Sequence, residues 1–146
     1  VRRLDTIVLH HSASKAANHT WEDIRKWHLA RGWNAIGYHF GVVFDSGQWL
    51  VKPGRPIEQV GAHAKGFNAH SVGICFEGNF SETEMPPEQF ALGVSLISTL
   101  LFAHPTIVKV VGHRDLPYPT ECPGKLFPFN QMIGAVHDVA KRADRA

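Results

Sequence analysis

VGHRDLPYPTECPG, Val111–Gly124, joins the two features around which the rest of the chain is arranged: a strand that ends and a loop that carries a thiol. The apolar run Ile107–Val111 that leads into it has the pattern of a buried strand. His113 leaves that strand, and Cys122 follows across a loop broken by Pro117, Pro119 and Pro123. Each proline fixes its own φ, so such a loop holds a side chain in place without regular secondary structure. Imidazole and thiolate are both ready zinc ligands. A metal needs a third protein donor, and the obvious source is the amino-terminal TIVLHHS, Thr6–Ser12, with His10 and His11.

Working outward, Leu4–His11 is an almost unbroken apolar run rich in β-branched residues, the pattern of a strand covered on both faces. Side chains alternate along a strand, so His10 and His11 cannot both face one site, and alternation alone does not choose between them. Thr20 is expected as an N-cap, with Glu22 and Asp23 in the first turn and Arg25, Lys26 and Arg31 later. Trp21, Ile24, Trp27 and His28 fall at helical spacing and Gly32 closes the element, which predicts a helix from about Thr20 to Arg31. Ile36–Phe44 (IGYHFGVVF) reads as a second strand, and Asp45-Ser46-Gly47 turns it into a hairpin with Gln48–Lys52. The polar, Gly-rich PGRPIEQVGAHAKGFNAHS has the length and composition of a functional surface loop. Ser71–Glu77 is another buried strand. Pro86-Pro87-Glu88 opens a helix whose apolar stripe is Phe90, Val94, Ile97 and Leu101, and Phe129–Arg142 is a final helix with a basic end. The order β-α-β-β-β-α-β-α, without repeat or linker, predicts a single α/β domain over 1–146: a mixed central β-sheet flanked by helices.

Composition sets limits. The chain has 146 residues, 44% hydrophobic and 19% charged, which is ordinary for a globular domain with a real core. A net charge of +2 without clustered Lys and Arg gives no reason to invoke nucleic acid. No apolar stretch approaches the roughly 20 residues of a membrane span. The first residues lack a secretory signal's cleavage pattern, so this segment indicates no export route. Two cysteines do not make a disulfide framework; the alternative to a ligand role for Cys122 is one Cys75–Cys122 bridge, and Cys75 otherwise reads as a small buried hydrophobe. Ten histidines is a high count for this length, and it is what makes a metal worth pursuing.

His10, His113 and Cys122 would give two imidazoles, one thiolate and an open fourth position, the pattern of catalytic rather than structural zinc. Water on such an ion is acidified enough to attack an acyl carbon near neutral pH. The chain resembles the zinc-dependent N-acetylmuramoyl-L-alanine amidases, the family of bacteriophage T7 lysozyme and the peptidoglycan recognition proteins. The matching pieces are LHHSAS (Leu9–Ser14), IRKWH (Ile24–His28), GWNAIGYHF (Gly32–Phe40), GAHAKGFNAHSVGICFEGNF (Gly61–Phe80) and GHRDLPYPTECPG (Gly112–Gly124), collinear and in the family's order.

The resemblance implies a T7-lysozyme-like fold, Zn2+ held by His10, His113 and Cys122, and peptidoglycan as the substrate, cut between the lactyl group of N-acetylmuramic acid and L-alanine. It picks His10 over His11. It places Tyr38 beside the metal, to donate to the oxyanion or orient the attacking water, and Thr120, to bond the zinc water or the oxyanion, at the second polar position, where T7-type enzymes carry lysine and the recognition branch commonly carries threonine. It makes His63 a substrate-groove residue, to steady the stem peptide or protonate the leaving amine, and Asn68 a ligand contact or an organiser of the same loop. Arg114 and Asp115 are expected to shape the loop carrying Cys122, and Trp33 to lie in the core or at a sugar subsite. The enzyme is expected as a monomer acting at the bacterial cell wall. The alternative is a recognition module that binds peptidoglycan without cutting it; members that only bind typically lack a metal ligand, most tellingly the cysteine.

Overall fold

The computed structural model describes residues 2–14 and 21–145, so the cap expected at Thr20 lies outside the described residues. The strands are β1 (Thr6–His11), β2 (Phe40–Asp45), β3 (Gln48–Pro53), β4 (Ser71–Phe76) and β5 (Lys109–Gly112). The helices are α1 (Trp21–Ala30), α2 (Pro87–Ala103) and α3 (Phe129–Arg145), and two 3-10 turns cover Asn68–His70 and His113–Asp115. The five strands form one sheet in the order β3-β2-β4-β1-β5. β2 and β3 pair antiparallel, whereas β2, β4, β1 and β5 run parallel, so the sheet is mixed. The hairpin closes through Ser46 (φ 53°) and Gly47 (φ 80°), two successive left-handed residues that match the twist of the strands they join.

Alternation sorts the central strands between two layers. Ile7, Leu9, Val72, Ile74 and Phe76 turn to one face and meet Ile97 of α2 and Met132 and Val136 of α3, forming the main core. Burying each such side chain contributes roughly 1.5–3 kcal/mol. The opposite face is covered by Trp21 and Ile24 of α1 with Ile36, Val43 and Cys75. β1 and β4 are buried along their full length, as continuous apolar runs predict for parallel strands covered on both sides.

Three expectations shift. The strand expected from Ile36 begins only at Phe40. Ahead of it, Gly37 N–H donates to His28 Nδ1 of α1, the Gly37 and Tyr38 carbonyls accept from Ala62 and Arg55 of the following loop, and His39 N–H reaches β4 at the Gly73 carbonyl. The buried face of α2 is Gln89, Gly93, Ile97 and Leu100, one step round from the expected stripe, with Phe90, Val94 and Leu101 only partly buried against the core. Gln89 is buried with its amide donating to the carbonyls of Val42, within β2, and Glu77, just past β4. β5 is an edge strand rather than a buried central one, and Val108 just before it is 76% exposed.

Candidate metal centre

His10 and His11 close β1. In register, His10 lies beside Cys75 and His11 beside Phe76. His11 therefore turns to the main-core face, where its ring stacks on Phe80 and its Nδ1 accepts the Phe80 N–H. His10 turns to the α1 face, among Tyr38 (ring centroids 5.2 Å apart), His63 (5.0 Å) and His113 (4.6 Å). The loop after β5 brings in the sulfur. Arg114 N–H donates to the Cys122 carbonyl at 2.7 Å, Arg114 Nη1 to the Gly124 carbonyl at 2.8 Å, and Gly112 N–H to Asp115 Oδ2 at 2.8 Å. These bonds fold the proline-rich segment back onto the strand end and deliver Cys122 beside β1, where its Sγ accepts the His11 N–H at 3.3 Å.

One donor atom from each of His10, His113 and Cys122 lies within 4.8 Å of the others, and no other such cluster occurs among the described residues. His10 Nδ1 and Cys122 Sγ are 3.8 Å apart. A tetrahedral zinc with ordinary bond lengths separates a nitrogen and a sulfur by about 3.6 Å. His113 Nε2 is buried without a protein hydrogen-bond partner, a cost that a ligand on that nitrogen removes. The donor set and its spacing therefore fit zinc. Cys75 and Cys122 are free thiols, not a bridge.

The electrostatics suit a neutral, metal-accepting site. Burial lowers His10 well below the usual imidazole range, aided by the neighbouring His63, His113 and His11. Burial also takes His63 to about 3 and His28 to about 4, and lowers His113. Burial pushes the Cys122 thiol up to about 11, so the sulfur keeps its proton unless a cation replaces it. Tyr38 is raised well above the usual phenol range by burial and by the nearby Cys75 and Cys122 sulfurs, so it keeps its proton as a donor.

The three candidate ligands open onto a cleft of about 460 Å³, within the range of small-ligand sites. Tyr38, His63 and Asn68 line it. Asn68 Oδ1 accepts the His63 and Ala64 N–H groups, both at 2.9 Å, which organises the loop. His63 reaches the cleft wall but commits both ring nitrogens inward: Nδ1 to His10 Nε2 at 2.9 Å and Nε2 to Ser71 Oγ at 3.2 Å. Thr120 Oγ1 accepts the Cys122 N–H at 3.2 Å, and its side chain borders the neighbouring depression with Glu121 and Lys125. Trp33 is half-buried in the cleft wall, with Arg31 5.5 Å over its ring. Sequence reasoning left out Ser71, behind His63, and Tyr118, whose ring lies parallel to that of His113 with centroids 6.3 Å apart. Tyr118 was legible as part of the proline loop; nothing in the pattern marked Ser71.

Residues 1–125 match the N-acetylmuramoyl-L-alanine amidase family, and the chain belongs to it. It is 34% identical to the endolysin of Escherichia phage T7 over 119 residues, 77% of each chain. It is 36% identical to peptidoglycan-recognition protein LB of Drosophila melanogaster over 129 residues, 81% of this chain and 53% of that one. Among solved structures, the N-acetylmuramoyl-L-alanine amidase endolysin LysCS of Clostridium intestinale URNW superposes with a TM-score of 0.82 at 34% identity, covering 93% of this chain and 85% of its own.

Proposed function

We propose that this chain is a zinc-dependent N-acetylmuramoyl-L-alanine amidase, a single catalytic domain over 1–146 acting as a monomer on peptidoglycan at the bacterial cell wall. It cuts the amide between the lactyl group of N-acetylmuramic acid and L-alanine of the stem peptide. The observation that carries this reading is the convergence of His10, His113 and Cys122 donor atoms within 4.8 Å of one another at a cleft beside Tyr38. His10, His113 and Cys122 would hold the zinc, which when bound would supply Lewis acidity towards a carbonyl and lower the pKa of water.

The chain's own residues supply the rest. Tyr38, protonated throughout the physiological range, donates to the carbonyl oxygen as negative charge develops on it. Thr120 accepts the Cys122 N–H and so holds the Cys122 backbone, and with it the sulfur. The cleft histidines are kept neutral by burial and hold no surplus proton at neutral pH. The proton that the departing alanine amine needs therefore comes from the attacking water, whose oxygen ends in the new lactyl carboxylate. Asn68 fixes the cleft loop, and Arg31 and Lys65, in a lining that contains no carboxylate among the described residues, suit a stem peptide bearing free carboxylates.

No helix among the described residues is long and apolar enough to cross a membrane. The test is lysis of purified peptidoglycan with chelator, then with zinc added back, beside Cys122→Ala. Loss on chelation, recovery with zinc and an inactive Cys122→Ala are expected. Undiminished lysis in chelator would sink the zinc-dependent reading.

A further inference from the structure

The proton arrangement of His10 is decided from behind its ring. Ser71 has one hydroxyl proton, and its Oγ lies 2.6 Å from the Phe67 carbonyl oxygen, a group that only accepts. The Ser71 proton is therefore committed to Phe67, and towards His63 Nε2, at 3.2 Å, the oxygen presents a lone pair. His63 accordingly carries its proton on Nε2 and leaves Nδ1 bare. That bare Nδ1 lies 2.9 Å from His10 Nε2, which must then be the protonated nitrogen. A neutral imidazole has a single N–H, so His10 Nδ1 is a lone pair, and it is the nitrogen that faces Cys122 Sγ at 3.8 Å.

We infer that His63 and Ser71 are positioning residues that lock His10 into its Nε2–H tautomer, so that Nδ1 is presented as a ligand before any metal arrives. The inference rests on the zinc-amidase reading for the identity of the metal, but the chain of bonds stands on its own geometry. The fold reserves space for it. A Cβ on Gly73 would come within 2.5 Å of the His63 ring, and one on Gly61 within 2.7 Å, so both glycines are places where the ring needs the backbone bare. Asn68 fixes the His63 backbone at the same time, and Ser71 is fully buried. A His63 so enclosed has no nitrogen left for a stem peptide or a leaving amine. Its effect on the reaction passes through His10.

Metal ligands whose outer hydrogen bond is removed typically lose about 10- to 100-fold in affinity. In zinc-loaded protein competed with a chromophoric chelator, Ser71→Ala and His63→Leu are expected to weaken zinc by about that factor. His63→Asn, whose side-chain oxygen reaches the place of Nδ1, is expected to recover most of what His63→Leu loses. Ser71→Ala removes one atom, so its fold, checked by circular dichroism, is expected to survive if the bulkier change does not. Imidazole nitrogen NMR of chelator-treated wild type is expected to show His10 as the Nε2–H form alone, and Ser71→Ala to show both forms. Unchanged zinc affinity in Ser71→Ala, or a wild-type His10 protonated on Nδ1, would overturn the inference and leave the amidase reading standing. A wild type that binds no zinc would overturn the amidase reading, while the tautomer in the same sample still decides this one.

Discussion

Acid is expected to destabilise this domain steeply, and His39→Asn to remove one histidine's part of that loss. His39 is fully buried; its Nδ1 accepts the Gly73 N–H at 3.0 Å, and its Nε2 lies 2.8 Å from the Gln59 carbonyl oxygen. His28 accepts the Gly37 N–H on Nδ1 at 2.9 Å. In each ring the nitrogen that would take the second proton already faces a donor. Burial lowers both to about 4, against an ordinary 6.5. The unfolded chain therefore takes up protons first as pH falls, so stability is full above about pH 6.5 and drains away down to about pH 4. At about pH 5 each histidine has withdrawn about 1.5 units of proton affinity, or about 2 kcal/mol, and the pair about 4 kcal/mol. Glu77 acts the other way: burial raises it from 4.5 to about 6, so the folded carboxyl is protonated first. Its gain at about pH 5 is about 1 kcal/mol, which leaves a loss of about 3 kcal/mol over these three groups, to which the lowered His63, His10, His11 and His113 add, in a domain whose total is about 5–15 kcal/mol. Urea unfolding across this range measures the slope. His39→Asn keeps an acceptor for Gly73 but cannot titrate, so its loss should be smaller by about 2 kcal/mol, whatever its starting stability. Equal slopes in the variant and wild type would refute the reasoning.

Tyr38→Phe should keep zinc binding but lower kcat by about 100- to 1,000-fold, the usual cost of losing an oxyanion donor; metal analysis beside kinetics separates the two effects. Thr120→Ala frees the Cys122 amide and should cost about 1 kcal/mol of stability with a measurable fall in zinc affinity, whereas Thr120→Ser should sit near wild type in chelator competition. Gly124→Ala should destabilise by more than about 2 kcal/mol in thermal melts. Its φ is +102°, and an added Cβ would meet the Phe80 backbone at 2.4 Å.

The strongest parts of the fold announced themselves because local and global demands agree. β1 and β4 read as continuous apolar runs and are buried on both faces, and Asp45-Ser46-Gly47 turns where turn chemistry requires. Misreadings arose where a backbone group is satisfied by something far along the chain. Gln89 lay outside the expected stripe because its partners, the Val42 and Glu77 carbonyls, come from other elements, and its burial turns the inner face of α2. Gly37 and Tyr38 have strand composition, but their backbone bonds go to His28 and to the loops at residues 55 and 62. At the site, although choosing His10 over His11 took the family resemblance, the pairing of His113 with Cys122 was legible from a strand end and a proline-fixed loop. The hydrogen-bond chain through His63 and Ser71 was not, because it exists only once β4 lies against β1 and Gly73 leaves room for a ring.

Mass spectrometry of the products released from purified peptidoglycan tests the central claim most directly. Free stem peptides beginning at L-alanine, with glycan strands left uncut, released only when zinc is present, are the predicted result. Intact wall that retains the zinc-loaded protein would contradict it, and would make Tyr38 and the cleft a recognition surface instead of a catalytic one.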